Sequence, residues 1–135
     1  MTAKEYLEQI ELMDTKINNK LVELYQLRCL TTSITAPTDK EAVQTSGNKD
    51  KIGSIVAKIV DLENEINSMI DDFITIKQGC ISTIEKINNP LLYNILHKHY
   101  VQYKSLVEIA NEENYSYQYI VEAHGSALKA VKNNL

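Results

Sequence analysis

Near the C-terminal end of the chain, a segment of 16 residues sets side chains that can read base edges opposite a stripe that can only pack. Rotated at about 100° per residue, Ser116–Val131 gathers Ile120, Ala123, Ala127 and Val131 on one side. Gln118, Glu122, Gly125 and Lys129 turn the other way, with Tyr117 and Val121 on the flank. A glutamine amide can pair with adenine N6 and N7, and a glutamate can accept from cytosine N4. Valine or tyrosine can press on a thymine methyl. Tyr115, Tyr117 and Tyr119 alternate across the start of this segment. A stacking platform for single strands would set such rings beside a basic groove, so the plainer expectation is that one enters the core and the others make local contacts.

The elements that must position these residues are also legible. Ser105-Leu106-Val107-Glu108 has the spacing of a capping box, in which the hydroxyl and the carboxylate satisfy each other's backbone N–H groups. Leu106, Ile109 and Ala110 make a short apolar face, and Asn114 is a residue that tolerates a left-handed helix stop. Ser116 can cap a second helix. Two short helices around a tight turn form the skeleton of a helix-turn-helix, whose second helix enters the DNA major groove. Asn89-Pro90 caps and opens a supporting helix with Leu92, Ile95, Leu96 and Tyr100 on one face, and Val101–Lys104 is the predicted turn into Ser105.

From about Asn89 onward the chain resembles region 4 of bacterial sigma factors. Over its whole length it resembles a family of small phage regulators of Gram-positive bacteria, akin to the ArpU and RinA late-transcription activators. The residues that carry the likeness are Leu96-x-x-x-Tyr100, Lys104-Ser105-Leu106-Val107-Glu108-Ile109-Ala110, Tyr115-Ser116-Tyr117-Gln118-Tyr119-Ile120 and His124-Gly125-Ser126-Ala127-Leu128-Lys129. The opening Met1-Thr2-Ala3-Lys4-Glu5-Tyr6-Leu7 and the segment Lys58–Ile66 add to it. The resemblance implies a helix-turn-helix regulator of transcription in the bacterial cytoplasm. It implies base contacts at Tyr117, Gln118, Val121 and Glu122, and phosphate contacts at Lys104, Lys129 and Ser126. The family often carries arginine where Ser126 stands, so one ionic contact is missing here.

Charge limits what one copy can do. The chain of 135 residues has a formal net charge of −4 and a single arginine, Arg28, far from the reading segment. From Asn89 onward Lys98, Lys104, Lys129 and Lys132 are matched by Glu108, Glu112, Glu113 and Glu122. Lysine and arginine contacts to phosphate supply much of the affinity for DNA, and His97 and His124 add charge only near or below about pH 6.5. One copy alone is therefore a weak DNA binder, and pairing two reading faces would raise avidity.

Two long helical stretches precede this module. Leu7, Ile10, Met13, Ile17, Leu21, Leu24 and Leu27 recur at steps of three and four after a Thr2/Glu5 capping box, predicting one helix from Ala3 to about Leu30 that fades at Thr31-Thr32-Ser33. Thr31–Asp50, with Pro37 and Gly47, reads as a flexible loop. Lys51–Ile87 carries a heptad seam of Ile52, Ile55, Ile59, Leu62, Ile66, Met69, Phe73, Ile76 and Cys80, resumed by Ile84 and Ile87, with a kink or break expected near Gly79. This seam needs a partner: the first helix folding back, a second copy in a homodimer or larger oligomer, or both. The expected architecture is all-α, with residues 1–88 forming a coiled-coil hairpin around a loop at 31–50 and residues 89–135 forming the helix-turn-helix domain.

Other chemistries find no support in the residues. His97 and His99 sit two apart on a helix and face different ways, which does not suit a metal site. No Cys-x-x-Cys, phosphate loop or nucleophile elbow occurs, so neither an enzyme nor a cofactor is expected. Cys29 and Cys80 read as reduced, half-buried thiols. No secretory signal and no run near the ~20 apolar residues of a membrane span is seen, which fits a cytoplasmic protein. The rival to double-stranded DNA is a protein partner, such as RNA polymerase, another regulator or a host or mobile-element protein, engaged through the coiled coil.

Overall fold

The structure, a computed structural model, describes residues 1–35 and 46–135, with side chains at 1–32 and 50–135. Every regular element among the described residues is helical. The order is α1 (Ala3–Thr35), α2 (Ser46–Glu85), α3 (Pro90–Leu96), a π-helical turn (His97–Val101), α4 (Leu106–Glu113) and α5 (Tyr117–Asn133). No helix among the described residues is long and apolar enough to cross a membrane.

Neither long helix keeps its sequence-predicted limits. α1 passes through Thr31-Thr32-Ser33 to Thr35. The Thr31 and Thr32 hydroxyls both donate to the Arg28 carbonyl, at 2.6 and 3.2 Å, so groups expected to compete with the helix instead bond within it. α2 begins at Ser46, before the expected Lys51, and ends two residues short of Ile87. Between them, residues 36–45 of the expected loop lie outside the described residues. Gly79 does not interrupt α2. The Thr83 hydroxyl donates to its carbonyl at 3.0 Å, and a Cβ added there would meet the Tyr6 hydroxyl oxygen at 3.5 Å, an ordinary contact.

The chain divides into two compact units, Met1–Asp14 with Asp72–Leu135, and Thr15–Asp71. The first holds most of the core. One buried cluster joins Ala3, Leu7 and Ile10 of α1 to Cys80 and Ile84 of α2, with Ile87, Leu96, Tyr100, Ala127 and Val131. A second joins Ile95 of α3, Ile109 and Ala110 of α4, and Ile120 and Ala123 of α5. Cys80 is fully buried rather than half-buried, its thiol donating to the Tyr6 carbonyl at 3.5 Å, and burial pushes that thiol's pKa up. Cys29 is exposed. In the second unit Ile17, Leu24 and Ile66 are buried, and Lys20–Glu65 (3.5 Å) and Arg28–Glu63 (3.1 Å) link α1 to α2. Of the seam residues, Ile66 is 4% exposed within the chain, whereas Ile52, Ile55, Ile59, Leu62, Met69, Phe73 and Ile76 are only half-buried.

The caps form where the sequence places them. Thr2 and Glu5 make a reciprocal box: the Glu5 N–H donates to the Thr2 hydroxyl at 3.1 Å, and the Thr2 N–H to the Glu5 carboxylate at 3.4 Å. Asn89 Oδ1 accepts from the Leu91 and Leu92 N–H groups ahead of α3. Asn114 ends α4 with φ 62° and ψ 41°. A non-glycine residue there costs about 1–2 kcal/mol unless, like asparagine, it can bond locally. Asn114→Ala should therefore lower unfolding stability by about 1 kcal/mol, and Asn114→Gly should not. Equal urea midpoints for the two variants would show that the left-handed cap carries no such cost.

Candidate nucleic-acid interface

α5 is held from beneath and left open above. Ile120, Ala123, Ala127 and Val131 are buried along one stripe, while Tyr117, Gln118, Val121, Glu122, Gly125, Ser126 and Lys129 are exposed. The structure thus brings the four expected base-reading residues onto one exposed side of a single helix. Gln118, Gly125 and Lys129 point away from the core. Tyr117 and Val121 follow each other along one edge, and Glu122 and Ser126 along the other. This second edge borders a shallow groove lined by Asn89, Leu91, Leu92 and Tyr119. A Cβ added at Gly125 would meet nothing within 4 Å, so the middle of the outward face is open to close approach.

Local bonds set the entry of α5. The Ser116 hydroxyl accepts from the Tyr119 N–H at 3.1 Å, and the Ser105 hydroxyl accepts from the Glu108 N–H at 3.1 Å. The expected capping box at Ser105 is only half made, because the Glu108 carboxylate accepts from the Ser105 hydroxyl at 3.3 Å and not from its N–H. The tyrosines also depart from expectation. None of the three enters the core: Tyr115, Tyr117 and Tyr119 are 46%, 55% and 46% exposed. Tyr115 and Tyr119 stack on each other, ring centroids 4.7 Å apart and planes 22° apart. The turn at Asn114 puts Tyr115 four residues before Tyr119, so the rings shield each other at the surface.

The cations expected on phosphate are partly committed elsewhere. Lys104 Nζ lies 2.9 Å from a Glu112 carboxylate oxygen, and Lys98 Nζ lies 2.8 Å from Glu112 and 2.9 Å from Glu113. These bonds raise the Lys98 pKa and lower that of Glu112. Two lysines and two glutamates thus neutralise one another beside α4. Lys129 is exposed, with no ion-pair partner among the described residues.

Sequence reasoning missed the part-buried polar cluster behind this face. α3 passes into a π-helical turn at His97–Val101 rather than continuing as α-helix to Tyr100. Its exit is tight: Gln102 N–H donates to the His97 carbonyl at 3.1 Å, and Tyr103 adopts φ 60°. The Tyr103 hydroxyl reaches Asp14 Oδ2 at 2.8 Å, and burial together with that carboxylate raises its pKa. His99 Nδ1 sits 2.7 Å from the Lys104 carbonyl. Tyr100 Oη sits 2.7 Å from His124 Nε2, the two rings stacked at 5.6 Å. Burial first, then His99 and Lys4, lower the His124 pKa to about 4. Its ring is therefore neutral at physiological pH, and no positive charge at His124 is available to a phosphate. No group of three or more His, Cys, Asp or Glu side chains that would hold a metal occurs among the described residues. Comparison of the chain with family models, with curated proteins and with solved structures returned no match.

The His124 environment has a pH consequence. Below its ordinary value of 6.5 the unfolded chain takes up a proton that the native state, with a pKa of about 4, does not. Stability should be level with respect to this group above pH 6.5 and fall as pH drops from 6.5 toward 4. His124→Gln should flatten that decline, read as unfolding midpoints across a pH series. An unchanged slope in the variant would remove His124 as its source.

Proposed function

We propose that this chain is a phage-type, DNA-binding transcription regulator. In this reading a helical hairpin carries a C-terminal three-helix, sigma-region-4-like helix-turn-helix (α3, α4, α5), and the protein works as a homodimer or larger oligomer on promoter-proximal double-stranded DNA in the bacterial cytoplasm. The observation that carries the reading is the two-sidedness of α5: one stripe buried, the opposite side exposed with Tyr117, Gln118, Val121 and Glu122, and the helix entered through a left-handed turn between two serine-capped helices.

In this mechanism α5 lies in the major groove. The Gln118 amide pairs with an adenine edge, the Glu122 carboxylate accepts from a cytosine amino group, and Tyr117 and Val121 press on thymine methyls. Lys129 and the Ser126 hydroxyl take phosphates. Lys104 joins them by exchanging Glu112 for a phosphate oxygen, so this contact begins with an ion pair to break.

A second reading follows from that ion pair. With Lys98 and Lys104 neutralised and Tyr115–Tyr119 exposed, the same surface suits a protein partner such as RNA polymerase or another regulator, with weak or no DNA binding. A salt series on fragments of the protein's own genome separates the two. DNA reading predicts a sequence preference that persists while affinity falls steeply with salt. Gln118→Ala should relax that preference at one position by roughly 1–3 kcal/mol. Joint Glu112→Gln and Glu113→Gln substitution should tighten binding and steepen the salt slope by about 0.9 for each additional phosphate that a freed lysine neutralises. Absence of any preference at low salt would overturn DNA reading in favour of the protein partner.

A further inference from the structure

The unit Thr15–Asp71 is built like half of a bundle. Of its described hydrophobic side chains, Ile17, Leu24 and Ile66 reach the core, and the seam residues Ile52, Ile55, Ile59, Leu62 and Met69 stay half-covered. Beside that seam, large apolar side chains are exposed at helical spacing. Leu21, Tyr25 and Cys29 follow at steps of four along α1, with Val22 next to them, and Val56 and Val60 stand four apart on α2. Leu21, Val22, Val56 and Val60 are 44–54% exposed, and Tyr25 is 69% exposed. The Arg28–Glu63 pair puts both rows on the same side, because Arg28 is three residues beyond Tyr25 and Glu63 three beyond Val60, and their side chains meet at 3.1 Å.

We infer that this face is covered by the same face of a second copy, so that α1 and α2 of two chains complete a four-helix bundle. Two observations choose a second copy over another partner. The charged residues on the face, Arg28 and Glu63, neutralise each other, so it neither repels its own copy nor attracts an acidic or basic surface. With three buried hydrophobic residues among its described side chains, the two-helix unit leaves its seam half-covered, and an identical half supplies matching seams of the same period. The i, i+4 rows are ridges of the kind that interdigitate between packed helices. This inference deepens the oligomeric part of the functional reading by naming its surface, and it stands apart from whether DNA is bound.

Sedimentation equilibrium of the full chain tests it, beside Tyr25→Glu, Val60→Glu and the double variant. Both positions are exposed in the single chain, so helicity by circular dichroism should be unchanged. The wild type should be a dimer at micromolar concentration, and each variant should weaken dimerisation about a hundredfold, by burying an unpaired carboxylate at the contact. Cys29 gives a second readout, since Cys80 is buried: its thiol should react slowly in the wild-type dimer and quickly in the double variant. A monomeric wild type, or variants that remain fully dimeric with Cys29 protected, would overturn the interface. Binding to a single-site DNA fragment, measured on the same proteins, tests the DNA reading separately, because loss of the dimer should leave single-site affinity unchanged.

Discussion

The burial of one stripe on α5 governs everything the C-terminal part of the chain presents to solvent. That stripe is divided. Ile120 and Ala123 pack with Ile95, Ile109 and Ala110, while Ala127 and Val131 pack with Leu7, Ile10, Cys80 and Ile84. A helix gripped at two points along its length by two different sets of side chains cannot roll about its axis without opening both. The orientation of Tyr117, Gln118, Val121 and Glu122 is therefore set by apolar residues that touch no ligand. Buried apolar area supplies the energy, and the serine caps with the left-handed Asn114 set the angle at which α5 starts.

Electrostatics work against that geometry. A helix face aimed at a duplex would ordinarily be fringed by uncommitted cations. Here Lys98 and Lys104 are drawn onto Glu112 and Glu113, and His124 is kept neutral by burial against Tyr100 and His99. The lysine–glutamate pairs and the neutral His124 thus leave less positive charge at the surface nearby. Any affinity for a polyanion must come from the outward row with Lys129, from opening the Lys104–Glu112 pair, or from bringing two copies together.

What could be seen in advance followed the range of the interaction involved. Caps are contacts over two to four residues. Thr2/Glu5, Asn89, Ser105, Asn114 and Ser116 could be placed from spacing alone, although Glu108 took the Ser105 hydroxyl instead of its N–H. The stripe on α5 was legible for the same reason, since its period is a property of the helix itself. Helix ends were less legible. Thr31 and Thr32 look like stop signals in a sequence, and only the bonds to the Arg28 carbonyl show that they extend the helix. The tyrosines misled because Tyr115 and Tyr119 found each other rather than the core.

The sequence by itself determined that the chain is helical, where α3, α4 and α5 start and where α4 stops, and which side of α5 is apolar, because all of these depend on neighbours one to four residues apart. The tertiary structure alone decided the rest. It brought Tyr100 to His124 across 24 positions and Tyr103 to Asp14 across 89, turned the end of α3 into a π-helical segment, and drew two lysines onto α4 carboxylates. It also left Leu21, Tyr25, Val56 and Val60 at the surface while Ile66 went inside. These are pairings between residues far apart in the chain, and no local period or propensity encodes which of many chemically suitable partners will be within reach once the core has closed.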